Sequence, residues 1–99
     1  IPPDESEIIV AGFSLSQSAK VQVPRIAESP IHMECKLIQQ ITVGGNAVDL
    51  LLGEVIALHI REDVLQDGKI DSRKLRAIGR MGGNTYCRTV DQFEMLRPT

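Results

Sequence analysis

Ile31-His32-Met33-Glu34-Cys35-Lys36-Leu37 is the stretch on which the fold turns. Ile31, Met33, Cys35 and Leu37 alternate with His32, Glu34 and Lys36. A period of two places the two sets on opposite faces of a strand, the apolar one buried and the polar one wetter. Downstream, Gly44-Gly45-Asn46 supplies the positive φ of a tight turn. A second strand is expected over about residues 48–61. It is apolar on both faces through Leu50, Leu51, Leu52, Val55, Ile56, Ala57 and Leu58, as an interior strand would be. Residues 31–61 thus predict a long antiparallel hairpin.

Before the hairpin, Asp4 as N-cap and Glu7 three residues later open a short helix through Ile8, Ile9 and Val10, stopped by Gly12. Residues 14–30, with Pro24 and Pro30, read as an extended connection. After it, Asp67-Gly68 is a turn, and Asp71 caps a helix over residues 72–78 that Gly79 ends. Gly82-Gly83-Asn84 forms a loop, and residues 85–90 and 92–95 predict short closing strands. The expected fold is mainly β, a barrel or half-barrel with two short helices.

Composition narrows the functional classes. Ninety-nine residues suit one small domain, and 42% apolar with 24% charged residues matches a globular chain. Phe13, Tyr86 and Phe93 are the whole aromatic complement, so base-stacking platforms are missing. A net charge of −2 and a pI near 5.6 give no field for a phosphate backbone, which argues against nucleic acid. No apolar run approaches the roughly 20 residues of a membrane span. Cys35 and Cys87 form no metal or redox spacing and read as reduced interior thiols, consistent with a cytoplasmic protein. The first residue is Ile1, not Met, so a preceding segment is expected.

Several residues invite chemistry. Glu54, between Gly53 and Val55, is either a partner of Lys36 across the hairpin or a carboxylate at a ligand pocket. His32 and His59 face each other if the turn centres on the two glycines, but the pattern sets no third metal ligand beside them. Asp67 to Asp71 lacks the spaced oxygens of a calcium loop. Around Gly82, Gly83 and Asn84 stand Arg80, Tyr86 and Arg88. Glycine amides approach anions, arginine offers a fork of donors, and tyrosine a ring with a polar tip. On chemistry alone a helix-stop glycine followed by a Gly-Gly turn with basic flanks explains it better.

The order of motifs adds what no single one carries. Pro24-Arg25-Ile26-Ala27-Glu28-Ser29-Pro30 precedes Glu34-Cys35-Lys36-Leu37. Gly53-Glu54-Val55, the Asp67–Asp71 turn, Leu75-Arg76 and Gly79-Arg80-Met81-Gly82-Gly83-Asn84-Thr85-Tyr86 follow. This succession resembles the C-terminal half of the flavin reductase-like family, which includes flavoredoxins and reductase components of two-component monooxygenases. The resemblance implies an antiparallel split β-barrel, here a partial one, homodimeric and binding FMN. NAD(P)H would deliver hydride to the flavin, and electrons would pass to a monooxygenase or another acceptor. It makes Arg80, Gly82, Gly83, Asn84 and Tyr86 neighbours of the flavin or nicotinamide, with Arg25, Glu28 and Ser29 as further members. It requires no catalytic acid or base. The family's N-terminal half, which carries much of the flavin site, lies outside these residues. The alternatives are a flavin-binding electron carrier without its own nicotinamide reaction, or a half-barrel that only associates with another chain.

Overall fold

A computed structural model of the chain describes residues 6–45 and 48–98. The architecture is mainly β, with two four-residue helices, and divides after Ile60 into two compact units. Among the described residues no helix is long and apolar enough to cross a membrane.

In the first unit, helix α1 (Glu7–Val10) starts after Ser6. Gly12 follows its end at φ +76°, the left-handed position expected of a stop. Asp4, the expected cap, lies outside the described residues. Residues 14–30 hold more than a plain connection. Strands β1 (Leu15–Ser16) and β2 (Arg25–Ile26) pair antiparallel, folding the segment between them into a strap.

Strands β3 (Ile31–Val43) and β4 (Val48–Ile60) form the expected hairpin. Gly44, at φ +72°, enters the turn as anticipated. His32 stands opposite His59, and Lys36 opposite Glu54. Register shifts between Glu34 and Cys35 and between Leu37 and Gln39 interrupt the ladder. Among the described residues β4 has one ladder partner, so its two-sided apolar pattern does not make it an interior strand within this chain.

The faces of β3 are also reversed from the expectation. Glu34 is buried, while Met33, Cys35 and Leu37 are exposed. Alternation tells which residues share a face, not which face is covered. Here the polar strap supplies the cover, because its amides find a carboxylate there. Cys35 and Cys87 are free thiols as expected, but exposed and not interior.

In the second unit, a 3-10 turn (Glu62–Val64) places Val64 in the interior, where its carbonyl accepts from Asp71 N–H at 2.8 Å. Strands β5 (Leu65–Gln66) and β6 (Lys69–Ile70) join through Asp67 and Gly68, both at positive φ, as a two-residue hairpin turn demands. Helix α2 covers only Ser72–Leu75, with the Asp71 side chain accepting from Arg73 and Lys74 N–H. It ends at Arg76 in the left-handed conformation, not at Gly79. Gly79 instead lies in β7 (Ile78–Gly82), which pairs with β8 (Thr85–Arg88). Cross-strand pairing claims the residues that local propensity offered to the helix. The strand expected over 85–90 stops at Arg88, and residues 92–95 form none. There the Gln92 side chain makes the ties, accepting from Ser72 Oγ at 3.0 Å and donating to Thr89 O at 2.7 Å.

Candidate functional site

The strap and β3 enclose a cleft of about 410 Å³, its wall formed by Ser18, Val21, Val23 and Arg25, its floor by His32 and Met33. Local bonds hold the strap in shape. Arg25 donates from Nε and Nη2 to Gln17 O at 3.2 and 3.0 Å, and Ser18 Oγ donates to Val23 O at 2.5 Å. His32 Nε2 donates to Ile26 O at 2.6 Å, leaving Nδ1 to face Arg25 Nη1 at 3.5 Å. Because a carbonyl oxygen only accepts, Nε2 is the nitrogen that carries a proton in this contact.

Glu34 sits behind this wall, 2% exposed. Its Oε1 accepts from Lys20 N–H at 2.6 Å and Val21 N–H at 3.1 Å; its Oε2 accepts from Ala19 N–H at 2.9 Å and from His59 Nε2. Desolvation by itself raises the carboxyl pKa. The donors of Ala19, Lys20, His59 and Val21 together outweigh it and bring the carboxyl from its ordinary 4.5 to about 2. The His32 and His59 rings meet edge to face, centroids 6.1 Å apart. Among the described residues no three His, Cys, Asp or Glu side chains gather to hold a metal ion.

Of the sequence-derived site residues, Arg25 and Ser29 line the cleft. Ser29 Oγ donates to Ile31 O at 3.0 Å. Glu28 does not line it; its carboxylate accepts from Ser14 N–H. The other five belong to the β7–β8 hairpin of the second unit. Arg80 stands opposite Tyr86 and donates from Nη2 to Gly83 O at 3.2 Å, closing the turn. Gly82 and Gly83 have φ +152° and +53°, and a Cβ on either would meet nothing within 4 Å. The turn backbone is therefore open to close approach, beside a guanidinium with donors to spare and an exposed phenol ring. That donor set suits a planar, anionic group.

Sequence reasoning missed Glu34 as a functional residue and the strap as a cleft wall. A signal existed. Glu34 lies two residues from His32, on the strand whose partner carries His59, so three groups able to bond one another were already bound to share a neighbourhood.

Comparison with known proteins places this arrangement. The flavin reductase like domain matches residues 1–79. An uncharacterized protein of Halalkalibacterium halodurans is 41% identical over 103 residues, covering 100% of this chain and 49% of that protein. The Bacillus subtilis protein YwrF is 35% identical, covering 98% of this chain and 50% of its own length. Among solved structures, nitrilotriacetate monooxygenase component B from Bacillus cereus superposes with a TM-score of 0.86 at 37% identity, over 96% of this chain and 49% of that one. The 2-nitrobenzoate 2-nitroreductase of Pseudomonas fluorescens gives 0.83 at 34%, over 95% and 48%. A split-barrel structure from Shewanella frigidimarina gives 0.82 at 22% identity, over 100% of this chain and 50% of that one, a likeness of fold. The chain spans about half the length of the proteins it matches. The fold class, by likeness to these structures, is a split barrel present here in part, and the chain belongs to the flavin reductase-like domain family.

Proposed function

We propose that this chain is the C-terminal portion of an FMN-dependent, NAD(P)H-oxidising flavin reductase. In this reading it acts in the cytoplasm as a homodimer and passes electrons to a monooxygenase or another acceptor. The observation that carries it is the open, Arg80-flanked glycine turn, in a chain of this family. Solved relatives named as a monooxygenase component and as a nitroreductase support redox work of this kind. Two free, exposed thiols support a reducing compartment.

The bound flavin would supply the hydride acceptor and the electron store, chemistry that belongs to the cofactor. The chain's own residues bind and orient. Arg80 gives one donor to Gly83 O and presents its remaining donors to an anionic group. Gly82, Gly83 and Asn84 let the turn backbone come close, and Tyr86 offers a ring face. Arg25 arrives pre-oriented by Gln17 and His32, with Ser29 beside it and Glu28 fixing the strap's entry at Ser14. Titrating the full-length protein with FMN, then mixing it anaerobically with NADH and with NADPH, tests the reading. Bleaching of the flavin band with one or both donors is expected. A protein that binds no FMN, or binds it and bleaches with neither donor, is not a flavin reductase.

A further inference from the structure

The amides of Ala19, Lys20 and Val21 are consecutive, and all three point at one carboxylate. A concave run of N–H groups is an anion-binding nest. Here it is filled from within the chain, by Glu34 of β3. His59 of β4 adds the fourth donor, so both long strands and the strap meet on two oxygen atoms. The other strap bonds near this point, from Arg25 to Gln17 O and from Ser18 to Val23 O, tie the strap to itself. His32, bonded to Ile26 O, holds only its later end. Residues 19–21 are tied to the sheet through Glu34.

We propose that Glu34 is the positioning residue of the cleft: its carboxylate pins residues 19–21 against the hairpin and thereby sets the wall that a bound flavin or nicotinamide meets. The claim rests on the reading that the cleft takes such a ligand. Among the described residues, the titratable side chain bonded to the carboxylate is that of His59, with the His32 ring edge to face beside it. The ionised, acceptor-only state is the one the four donors require.

Glu34→Gln keeps the shape but turns half the head group into a donor, which must face either the Lys20 and Val21 amides or the Ala19 amide and His59. With this variant, tryptic cleavage after Lys20 should rise at least about tenfold, as expected when a charge-assisted bond is lost. The far-ultraviolet strand signal should stay unchanged, and FMN should bind about tenfold more weakly. Equal cleavage rates overturn the proposal, as does faster cleavage with unchanged FMN affinity. Hydrogen exchange in the unsubstituted protein tests it without any variant. The amides of Ala19, Lys20 and Val21 should exchange at least about tenfold slower than in a free peptide, and unprotected amides overturn the latch. If the unsubstituted protein takes no FMN, the ligand reading fails by itself, while cleavage and exchange still judge the latch.

Discussion

At Glu34 two effects of opposite sign meet, and their balance fixes a pH dependence. Burial disfavours the charge and four donors favour it; the donors win, and the carboxyl falls to about 2. A folded pKa below the unfolded one means that the stabilisation is complete above about pH 4.5 and is lost as the pH falls through about 2. The stability difference between the unsubstituted chain and Glu34→Gln, measured by urea unfolding, should therefore shrink as the pH falls from 4.5 to 2. A difference that grows over that range would refute the assignment. The sequence marked Glu34 as sharing a face with His32, which holds. It did not mark that face as the covered one, because the cover is a strap of polar residues held by backbone donors, and hydropathy carries no trace of those. Gly79 gives a second residue-scale test. A Cβ there would stand 2.9 Å from Cys87 Sγ across the β7–β8 ladder. Alanine normally gains about 0.5–1 kcal/mol over glycine in a strand, but crowding costs about 1–3 kcal/mol. Gly79→Ala should destabilise by roughly 1 kcal/mol, and in a Cys87→Ala background it should become neutral or stabilising. A double-mutant cycle in thermal unfolding reads that coupling.

Helix α2 shows how far local signals reach at the scale of an element. Its start was legible, because an Asp ahead of a polar run offers an acceptor to amides that lack a partner, and Asp71 does accept from Arg73 and Lys74. Its end was not. Residues 76–79 carry no strong stop before Gly79, yet pairing of Ile78 with Arg88 pulls the chain out of the helix three residues earlier. Arg76 is left at φ +55°, a conformation costly for any residue with a Cβ. Opposite effects follow at the two ends. Asp71→Ala should lose about 1 kcal/mol, a typical N-cap contribution. Arg76→Gly should gain roughly 0.5 kcal/mol, the left-handed strain exceeding the entropy that glycine adds to the unfolded chain. Chemical denaturation of both variants decides the pair, and a stabilising Asp71→Ala or a strongly destabilising Arg76→Gly contradicts it. The β3–β4 hairpin was legible almost whole, including the His32–His59 and Lys36–Glu54 registers, because alternation and a Gly-Gly turn fix register together.

Across the whole molecule, what the sequence could not say is which apolar surface stays uncovered. The turn end of the hairpin is two-faced. Ile41 pairs with Leu50 and Val43 with Val48 on one side, and Asp49 accepts from Thr42 and Gln40 on the other. The apolar set Ile41, Val43, Val48, Leu50 and Leu52 is 37% to 61% exposed. The interior-strand pattern had marked Leu50 and Leu52 for burial, and among the described residues they stay half-exposed. Covering a half-exposed side chain returns roughly 1 kcal/mol, so two copies that bury this face against each other gain on the order of 10 kcal/mol. Set against the low end, about 4 kcal/mol, of the rigid-body entropy that association costs, roughly 6 kcal/mol is left. The balance points to weak, reversible self-association of the 99-residue chain, with added help from unpaired strand edges. Sedimentation equilibrium should show a mass that rises with concentration across about 1–100 µM, the range such a small surplus sets. Ile41→Thr with Leu50→Thr keeps strand propensity while removing apolar area, and should shift that rise to at least about tenfold higher concentration. A mass independent of concentration for the unsubstituted chain, or one unmoved by the double substitution, would locate the association elsewhere or remove it.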